Sequence, residues 1–312
     1  MERRTDKKIV LIVRRTRLDE LIVRFNTIDQ ARFYVEHLGA DFSDYVNEDR
    51  AYKDARQQAE SILTQHGRLQ ILDRAFVPNF IFGPQDTVLA LGQDGLVANV
   101  LKYLDGQLLI GVNPDPLRWE GVLLPFVVSD LDRLMPDVFA KRRPIKSVTM
   151  AQAQLNTGEI LYGVNDLFIG PRSHTSARYT IQVGNRSESH SSSGLIVSTG
   201  LGSTGWMRSI LAGAAGIATV LSGHSLKVGE KRQFKWDADY LYFSVREPWP
   251  SKTSSADITF GKITTNAPLI LTSHMPENGV IFSDGVENDF VSFNSGIEAI
   301  IGVAKRKGLL VT

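Results

Sequence analysis

The first part of the chain alternates short apolar runs with segments of helical spacing. Lys8 to Val13 is a β-branched run that predicts a strand. Thr27 and Gln30 stand as N-cap and N3 of a capping box, and Ile28, Ala31, Val35 and Leu38 then recur on one helical face until Gly39. A second helix is predicted from about Glu48 to His66, with Tyr52, Ala55, Ala59 and Ile62 on one face and Gly67 as its stop. Leu69 to Leu72, Thr87 to Leu91 and Leu108 to Val112 predict further strands, and a helix from about Asp94 separates the last two. Strands alternating with helices imply right-handed crossovers and a parallel sheet. Ligands of such sheets sit beyond the carboxyl ends of strands, where Asp94 and Asn113 fall.

After Pro125 helical spacing becomes rare and alternation takes over. Ala177, Tyr179, Ile181 and Val183 alternate with Arg178, Thr180 and Gln182, as in a half-buried strand. Ile160 to Val164, Leu167 to Ile169, Leu195 to Val197, Tyr240 to Val245, Ile258 to Phe260, Leu269 to Thr272 and Val280 to Phe282 predict more strands, with Gly, Asn, Ser and Pro between them. The helical exception is Trp206 to about Leu221. The expected fold class is therefore an α/β N-terminal domain with a parallel sheet, residues 1–124, followed by a mostly-β C-terminal domain, residues 125–312. Gly121 to Pro125 is the crossing point, and a return of residues 296–312 to the first domain stays open.

Composition narrows the function classes. The 312 residues are 43% hydrophobic and 22% charged, an ordinary globular balance. A net charge of +1 provides no global field for nucleic acid or an anionic membrane. The absence of cysteine excludes disulfides, thiolate catalysis and cysteine-ligated metals, and fits a cytoplasmic protein. The apolar run near the start is about six residues long, too short for a signal segment. Ile210 to Gly223 falls short of the ~20 apolar residues that span a bilayer. The six histidines are scattered without metal-ligand spacing, and no G-x-S-x-G elbow exists. Arg17, Arg24, Lys231, Arg232 and Lys235 read as solvated charges, and Arg246-Glu247 as a salt-bridged structural pair.

Three stretches carry candidate chemistry. In Thr87 to Leu104 a strand meets a turn bracketed by Gly92 and Gly95, with Asp94 where the helix begins. The free first amides of a helix and its dipole favour an anion, so the turn suits a nucleotide phosphate; an Asp-capped connection without ligand has the same appearance. Asn165-Asp166 interrupts an apolar run, as a sugar-binding pair or as an Asx turn. Ser191 to Trp206 is a polar entry, a short strand and a Ser/Thr/Gly loop into a helix. Its hydroxyls and amides suit a ligand, with Trp206 as a stacking plane, while Ser203 or Thr204 equally suits a helix cap.

Taken in order, these stretches resemble the NAD kinase family, which shares its fold with diacylglycerol and sphingosine kinases. The family's GGDGT turn, Asn-Glu pair and DGL-x-x-ST-x-x-GSTAY segment stand here as Gly92-Gln93-Asp94-Gly95-Leu96, Asn165-Asp166, and Ser193-Gly194-Leu195 through Ser198-Thr199 to Gly202-Ser203-Thr204-Gly205-Trp206. The mitochondrial-type branch is the most similar. Thr16-Arg17, Ile110 to Asn113, Asp115-Pro116, Glu120-Gly121, Asn165 to Gly170, Ser192 to Gly194 and Phe243 to Pro248 carry that likeness, which spans nearly the whole chain.

The resemblance implies transfer of the ATP γ-phosphoryl group to the 2′-hydroxyl of the adenosine ribose of NAD. Asp94 would be the base and Mg²⁺ would accompany the triphosphate. Gly92, Gly95 and Asn113 would serve the nucleotide, and Asn165 and Asp166 would hold the NAD adenosine. Ser193, Thr199, Ser203, Thr204, Gly205, Trp206 and Ser209 would line the dinucleotide. A homodimer or higher homo-oligomer is expected, with no nucleic acid or membrane partner.

Four departures bear on that chemistry. Gln93 replaces a glycine, which would cost roughly 1 kcal/mol if the position needed positive φ. Leu96 replaces a threonine hydroxyl, Asp166 is one methylene shorter than glutamate, and Ser193 replaces an aspartate. Two alternatives therefore stand beside the NAD kinase reading: a catalytically impaired NAD(P)-binding regulatory protein, and a kinase of a lipid or polyol hydroxyl.

Overall fold

The structure is a computed structural model and describes residues 4–225 and 234–312, so Lys231 and Arg232 lie outside the described residues. The chain divides into two compact units, Met1–Lys146 with Leu309–Thr312, and Ser147–Gly308. Residues 125–146, read from the sequence as part of the β-rich half, lie within the first unit.

In the first unit β1 (Lys8–Val13), α1 (Arg17–Phe25), α2 (Ile28–His37), α3 (Phe42–His66), β2 (Arg68–Asp73), β3 (Thr87–Leu91), α4 (Asp94–Leu101), β4 (Leu108–Asn113), β5 (Phe126–Val127) and α5 (Leu131–Phe139) follow in order. The strands are parallel in the spatial order β2-β1-β3-β4. The free side of β4 is covered at one end by Leu309 and Leu310 and at the other by β5. Ile9, Leu11, Leu89, Leu91 and Ile110 of the sheet pack on Tyr52, Ala59 and Leu63 of α3 and on Leu131, Leu134 and Met135 of α5. Continuous apolar strands are what burial on both faces demands.

Two helices are absent from the sequence reading. Alpha1 has Arg, Asp and Glu among its apolar residues, and only Leu18 is buried. The reciprocal capping box belongs to this helix, formed by Thr16 and Asp19, whereas Thr27 of α2 only accepts the Gln30 amide. Alpha5 carries Pro136 inside it, which masks its pattern. Alpha3 starts at Phe42, capped by Asp41, rather than near Glu48.

The second unit contains β6 (Ile145–Leu155), β7 (Ile160–Gly163), β8 (Asp166–Pro171), β9 (Ala177–Val183), β10 (Arg186–Ser192), β11 (Leu195–Ser198), α6 (Trp206–Ser222), β12 (Tyr240–Val245), β13 (Phe260–Thr264), β14 (Leu269–Ser273), β15 (Gly279–Ser283), β16 (Val286–Ser292) and β17 (Glu298–Val311). One layer runs β10-β9-β14-β17, with β6 against β17 and β7 against β6; the other runs β13-β12-β11-β8-β15-β16. Leu167, Ile169, Leu195 and Val197 point into the core, with Tyr179, Ile181 and Leu271 of the other layer in the same cluster. Their neighbours Phe168 and Ile196 point the other way, against Trp206 and Ile210 of α6. The strand predicted at Ile258 to Phe260 starts at Phe260 and continues to Thr264.

Candidate functional site

The glycine turn of the first unit closes between β3 and α4. The Gly92 amide donates to Val112 O at 3.2 Å. Gln93 is the helix N-cap at φ −114° and ψ 166°, so the position needs no left-handed backbone and the strain expected of Gln93 does not arise. Gly95 is exposed and its missing Cβ would meet open space. Leu96 lies 3% exposed and packs over Gly92.

Asp94 opens α4, but its carboxylate does not cap that helix. One oxygen accepts the Leu123 amide at 2.7 Å and the other the Val122 amide at 3.2 Å, leaving the side chain half-buried. The segment that presents these amides is itself held. Asn113 donates to Trp119 O at 2.9 Å and accepts the Asp115 amide at 3.0 Å, so its buried carboxamide is spent on shaping this loop.

An ion network fastens the same loop to α3. Arg118 meets Asp44 at 2.6 Å, Asp44 meets Arg17 at 2.7 Å, and Arg17 and Arg14 both bind Glu48. Arg17 is thus not the solvated charge read from the sequence; Glu48, 2% exposed, needs its two guanidinium partners. Hydrogen bonds from Arg118 and then Arg17 pull the Asp44 carboxyl down to about 2.

In the second unit, Asn165-Asp166 meets two other segments. Asp284, at φ 56° with Gly285 at φ 71° in the β15–β16 turn, extends its carboxylate to three successive amides. These are Val164 at 3.0 Å, Asn165 at 2.6 Å and Asp166 at 3.3 Å. Thr199 donates to Val164 O at 2.5 Å, accepts the Gly202 amide at 3.2 Å, and its amide donates to Asn165 O at 3.0 Å. A Cβ at Gly202 would fall 2.1 Å from the Asn165 carbonyl oxygen, so only glycine permits this approach.

The arrangement leaves the Asn165 carboxamide and one carboxylate oxygen of Asp166 uncommitted among the described residues. The Asn165 carboxamide is half-buried and has no hydrogen-bond partner among the described residues. Asp166 faces Ser198 across the β8–β11 ladder, and its Oδ1 is shut off from solvent without a partner. Burial pushes the Asp166 carboxyl up to about 7; the Ser198 hydroxyl opposes this and the Asp284 charge adds to it. The Asx-turn reading of this pair is thus replaced by a loop whose backbone is held by Asp284.

The remaining predicted residues divide. Ser203 donates to Gly200 O at 2.7 Å and is buried. Thr204 donates to Leu201 O at 3.4 Å, and neither hydroxyl caps α6. Gly205 is the exposed N-cap of α6, and exposed Ser209 donates back to Gly205 O at 3.4 Å. Trp206 and Ser193 belong to a cavity of about 400 Å³ whose walls include Phe168, Phe282, Arg172 and Arg246. Trp206 stacks on Phe168 at 6.0 Å and 5°, and Arg246 lies over the Trp206 ring at 5.5 Å. Arg246 also meets Glu247 at 3.8 Å, the salt bridge read from the sequence, so its guanidinium serves both the indole and that pair. Among the described residues no group of three or more His, Asp or Glu side chains is placed to hold a metal ion, and no helix is long and apolar enough to cross a membrane.

Asp284, Val122, Leu123, Arg118 and Arg172 were not singled out in the sequence. Asp284-Gly285 between two apolar runs is a hairpin signal and could have been found; the two amides clamping Asp94 have no side-chain signature.

No protein-family model and no curated protein sequence matches the chain significantly. Solved structures do. A yeast NADH kinase complexed with NADH superposes on 99% of this chain and 84% of its own, with a TM-score of 0.57 and 13% identity. An NAD kinase from Archaeoglobus fulgidus in complex with ATP superposes on 97% of this chain and 93% of its own, with a TM-score of 0.54 and 13% identity. The chain has the NAD kinase fold. In this version of the NAD kinase fold the βα turn after β3 reads Gly-Gln-Asp-Gly-Leu, and Asn165 immediately precedes the strand after β7, which opens on Asp166.

Proposed function

We propose that the chain is an NAD kinase-like phosphotransferase, moving the γ-phosphoryl group of ATP to the 2′-hydroxyl of the adenosine ribose of NAD(H). Asp94 accepts the hydroxyl proton while the oxygen attacks the γ-phosphorus, and ADP departs. The observation that carries the reading is the Asp94 carboxylate, fixed by two backbone amides at the first turn of the helix after a central strand. A base held in this way starts the reaction already oriented, and phosphoryl transfer depends mainly on such alignment.

Asn165 and Asp166 supply polar groups for the adenosine, a protonated Asp166 as donor and the Asn165 carboxamide in both senses. Mg²⁺ fits as an ion carried by the triphosphate and its water, since no protein cage of three ligating side chains exists among the described residues. Bound there it would neutralise charge on the transferring group. The yeast neighbour is complexed with NADH and the archaeal one with ATP, which supports the same pair of substrates here. The test is product formation from NAD or NADH with ATP and Mg²⁺, followed by chromatography. NADP(H) is expected, and its absence with the intact chain would overturn the reading.

A second reading, a nucleotide-binding protein without turnover, is favoured by Leu96. Its buried side chain takes the place of a hydroxyl at the turn. Saturable dinucleotide binding in calorimetry without product would establish it.

A further inference from the structure

The second unit carries another cleft, on the outer face of the layer that contains β10, β9 and β14. Its volume of about 540 Å³ lies within the range of small-molecule sites. The strand ladders set its residues in a row. Ser191 of β10 stands opposite Arg178 of β9, and just past β14 the His274 amide donates to Arg178 O at 2.8 Å. On the free side of β10 the Trp249 amide donates to Ser191 O at 2.8 Å. Trp249, Ser191, Arg178 and His274 thus follow one another across the sheet, and all four line the cleft with Ser189.

The charge in this row is unspent. Arg178 is exposed, and its guanidinium has no hydrogen-bond or ion-pair partner among the described residues. No Asp or Glu belongs to the walls. Glu188 alternates onto the other face of β10 from Ser189, where it accepts the Asp257 and Ile258 amides at 3.1 and 2.6 Å and meets His190 at 2.5 Å. His274 has Thr180 Oγ1 at 2.8 Å from its Nε2 and keeps its other ring nitrogen without a partner among the described residues. The Trp249 indole is 68% exposed and stacks on no other ring among them.

The loop that presents this indole is fixed at several points. The Ser251 amide donates to Ser254 O at 2.9 Å, Ser254 Oγ to Trp249 O at 2.6 Å, and the Ser255 amide to Ser189 O at 2.9 Å. A platform held in this way loses little freedom when a ligand lands on it. Neighbouring strands lie about 4.8 Å apart, so Trp249 stands about 10 Å from Arg178 along the row. A flat ring joined to an anion through a short linker spans that interval together with the arginine side chain.

We propose that this cleft is a second ligand site, for a small aromatic phosphate monoester of the mononucleotide class. The phosphate meets Arg178 and His274 with the Ser189 and Ser191 hydroxyls, and the ring lies on Trp249. A sugar would also suit an indole face and hydroxyls, but an unpaired guanidinium without a carboxylate calls for an anion. Every residue used here is remote in sequence from Asp94 and Asn165-Asp166, so the site stands or falls apart from the kinase reading.

The test is calorimetry of the full chain with uridine monophosphate and with inorganic phosphate, alongside tryptophan fluorescence. A pyrimidine is chosen because the Asn165-Asp166 site is read as one for adenosine. Uridine monophosphate is expected to bind saturably, about tenfold more tightly than phosphate, the size expected for one stacked ring. It should quench fluorescence in the wild type and not in Trp249→Phe. Arg178→Ala should weaken both probes by about tenfold or more, as for a lost charge-assisted contact. Trp249→Ala should weaken uridine monophosphate alone, and Asn165→Ala should leave both unchanged. Both Arg178 and Trp249 are exposed, so an unaltered melting temperature is expected of their variants. Absence of saturable binding, binding that survives both Arg178→Ala and Trp249→Ala, or binding lost in Asn165→Ala would each overturn the proposal. Phosphate binding as tight as uridine monophosphate would overturn the role of the indole.

Discussion

The Asp94 carboxylate accepts the Leu123 amide at 2.7 Å across a gap of 29 positions in the chain. This bond fixes the proposed base to a loop that is itself held by Asn113 and Arg118. Asp94→Asn keeps one acceptor oxygen and loses the basic one. NADP(H) formation is expected to fall by about 10²- to 10⁴-fold. The loss of stability should be about 1–3 kcal/mol, since one amide loses its acceptor and the other its charge assistance. Initial rates and a denaturant titration measure the two separately.

Asp166 should impose a pH dependence on stability. Its folded carboxyl titrates near 7, against an ordinary value of 3.8, mainly because burial penalises the charge. Between those values the folded state binds more protons than the unfolded one, so the Asp166 contribution makes stability fall as pH rises from about 4 to 7 and level off above. Asp166→Asn removes the charge without removing the shape. The variant is expected to lose that slope and to match or exceed the wild-type melting temperature at pH 8, as read by thermal shift across pH.

The Arg118–Asp44 pair gives the opposite sign. The Asp44 carboxyl is held at about 2 by Arg118 and Arg17, below its ordinary 3.8. Its contribution is present above pH 4 and is lost as pH falls toward 2. The Asp44 side chain is 42% exposed, so solvent screens the pair and the stability at stake is under about 1 kcal/mol. Carbon-detected NMR titration should place the Asp44 midpoint near 2 in the wild type and nearer 3.8 in Arg118→Ala. Activity in Arg118→Ala should also drop, because the loop that clamps Asp94 loses its tether to α3.

Gly202→Ala tests the close approach in the second unit. The added methyl would sit 2.1 Å from the Asn165 carbonyl oxygen, with backbone rather than a flexible side chain in the way. A loss of about 1–3 kcal/mol is expected, together with weaker dinucleotide binding as the Asn165-Asp166 loop is pushed away. Gly205→Ala, where the nearest heavy atom lies at 3.5 Å, is the control and should change stability far less.

The alternation of strands and helices in the first unit was readable because β1, β3 and β4 are apolar but for Lys8, Thr87 and Asn113 at their ends, and Lys8–Val13 and Tyr240–Val245 were placed to the residue. Beta10 was not readable, since Arg-Ser-Glu-Ser-His-Ser-Ser has no apolar period. It exists because it pairs with β9 from Arg186↔Val183 to Ser192↔Ala177. Of the candidate site, Asp94, Asn165 and Asp166 could be named from their setting between apolar runs. What these residues touch could not be. The partners of Asp94 are backbone amides of Val122 and Leu123, and those of the Asn165 loop come from Asp284, 119 positions away. Arg17 read as a free charge because its acids, Asp44 and Glu48, lie a whole helix later.

The pairing of Leu309 and Leu310 with Leu108 and Leu109 has a consequence for biosynthesis. During translation the Leu108–Leu109 end of β4 stays uncovered while the second unit is being made. The first unit then holds an open, apolar sheet margin until residues 309–312 leave the ribosome. A chain stalled or cleaved before that point should be a preferred client of chaperones and an early source of aggregates.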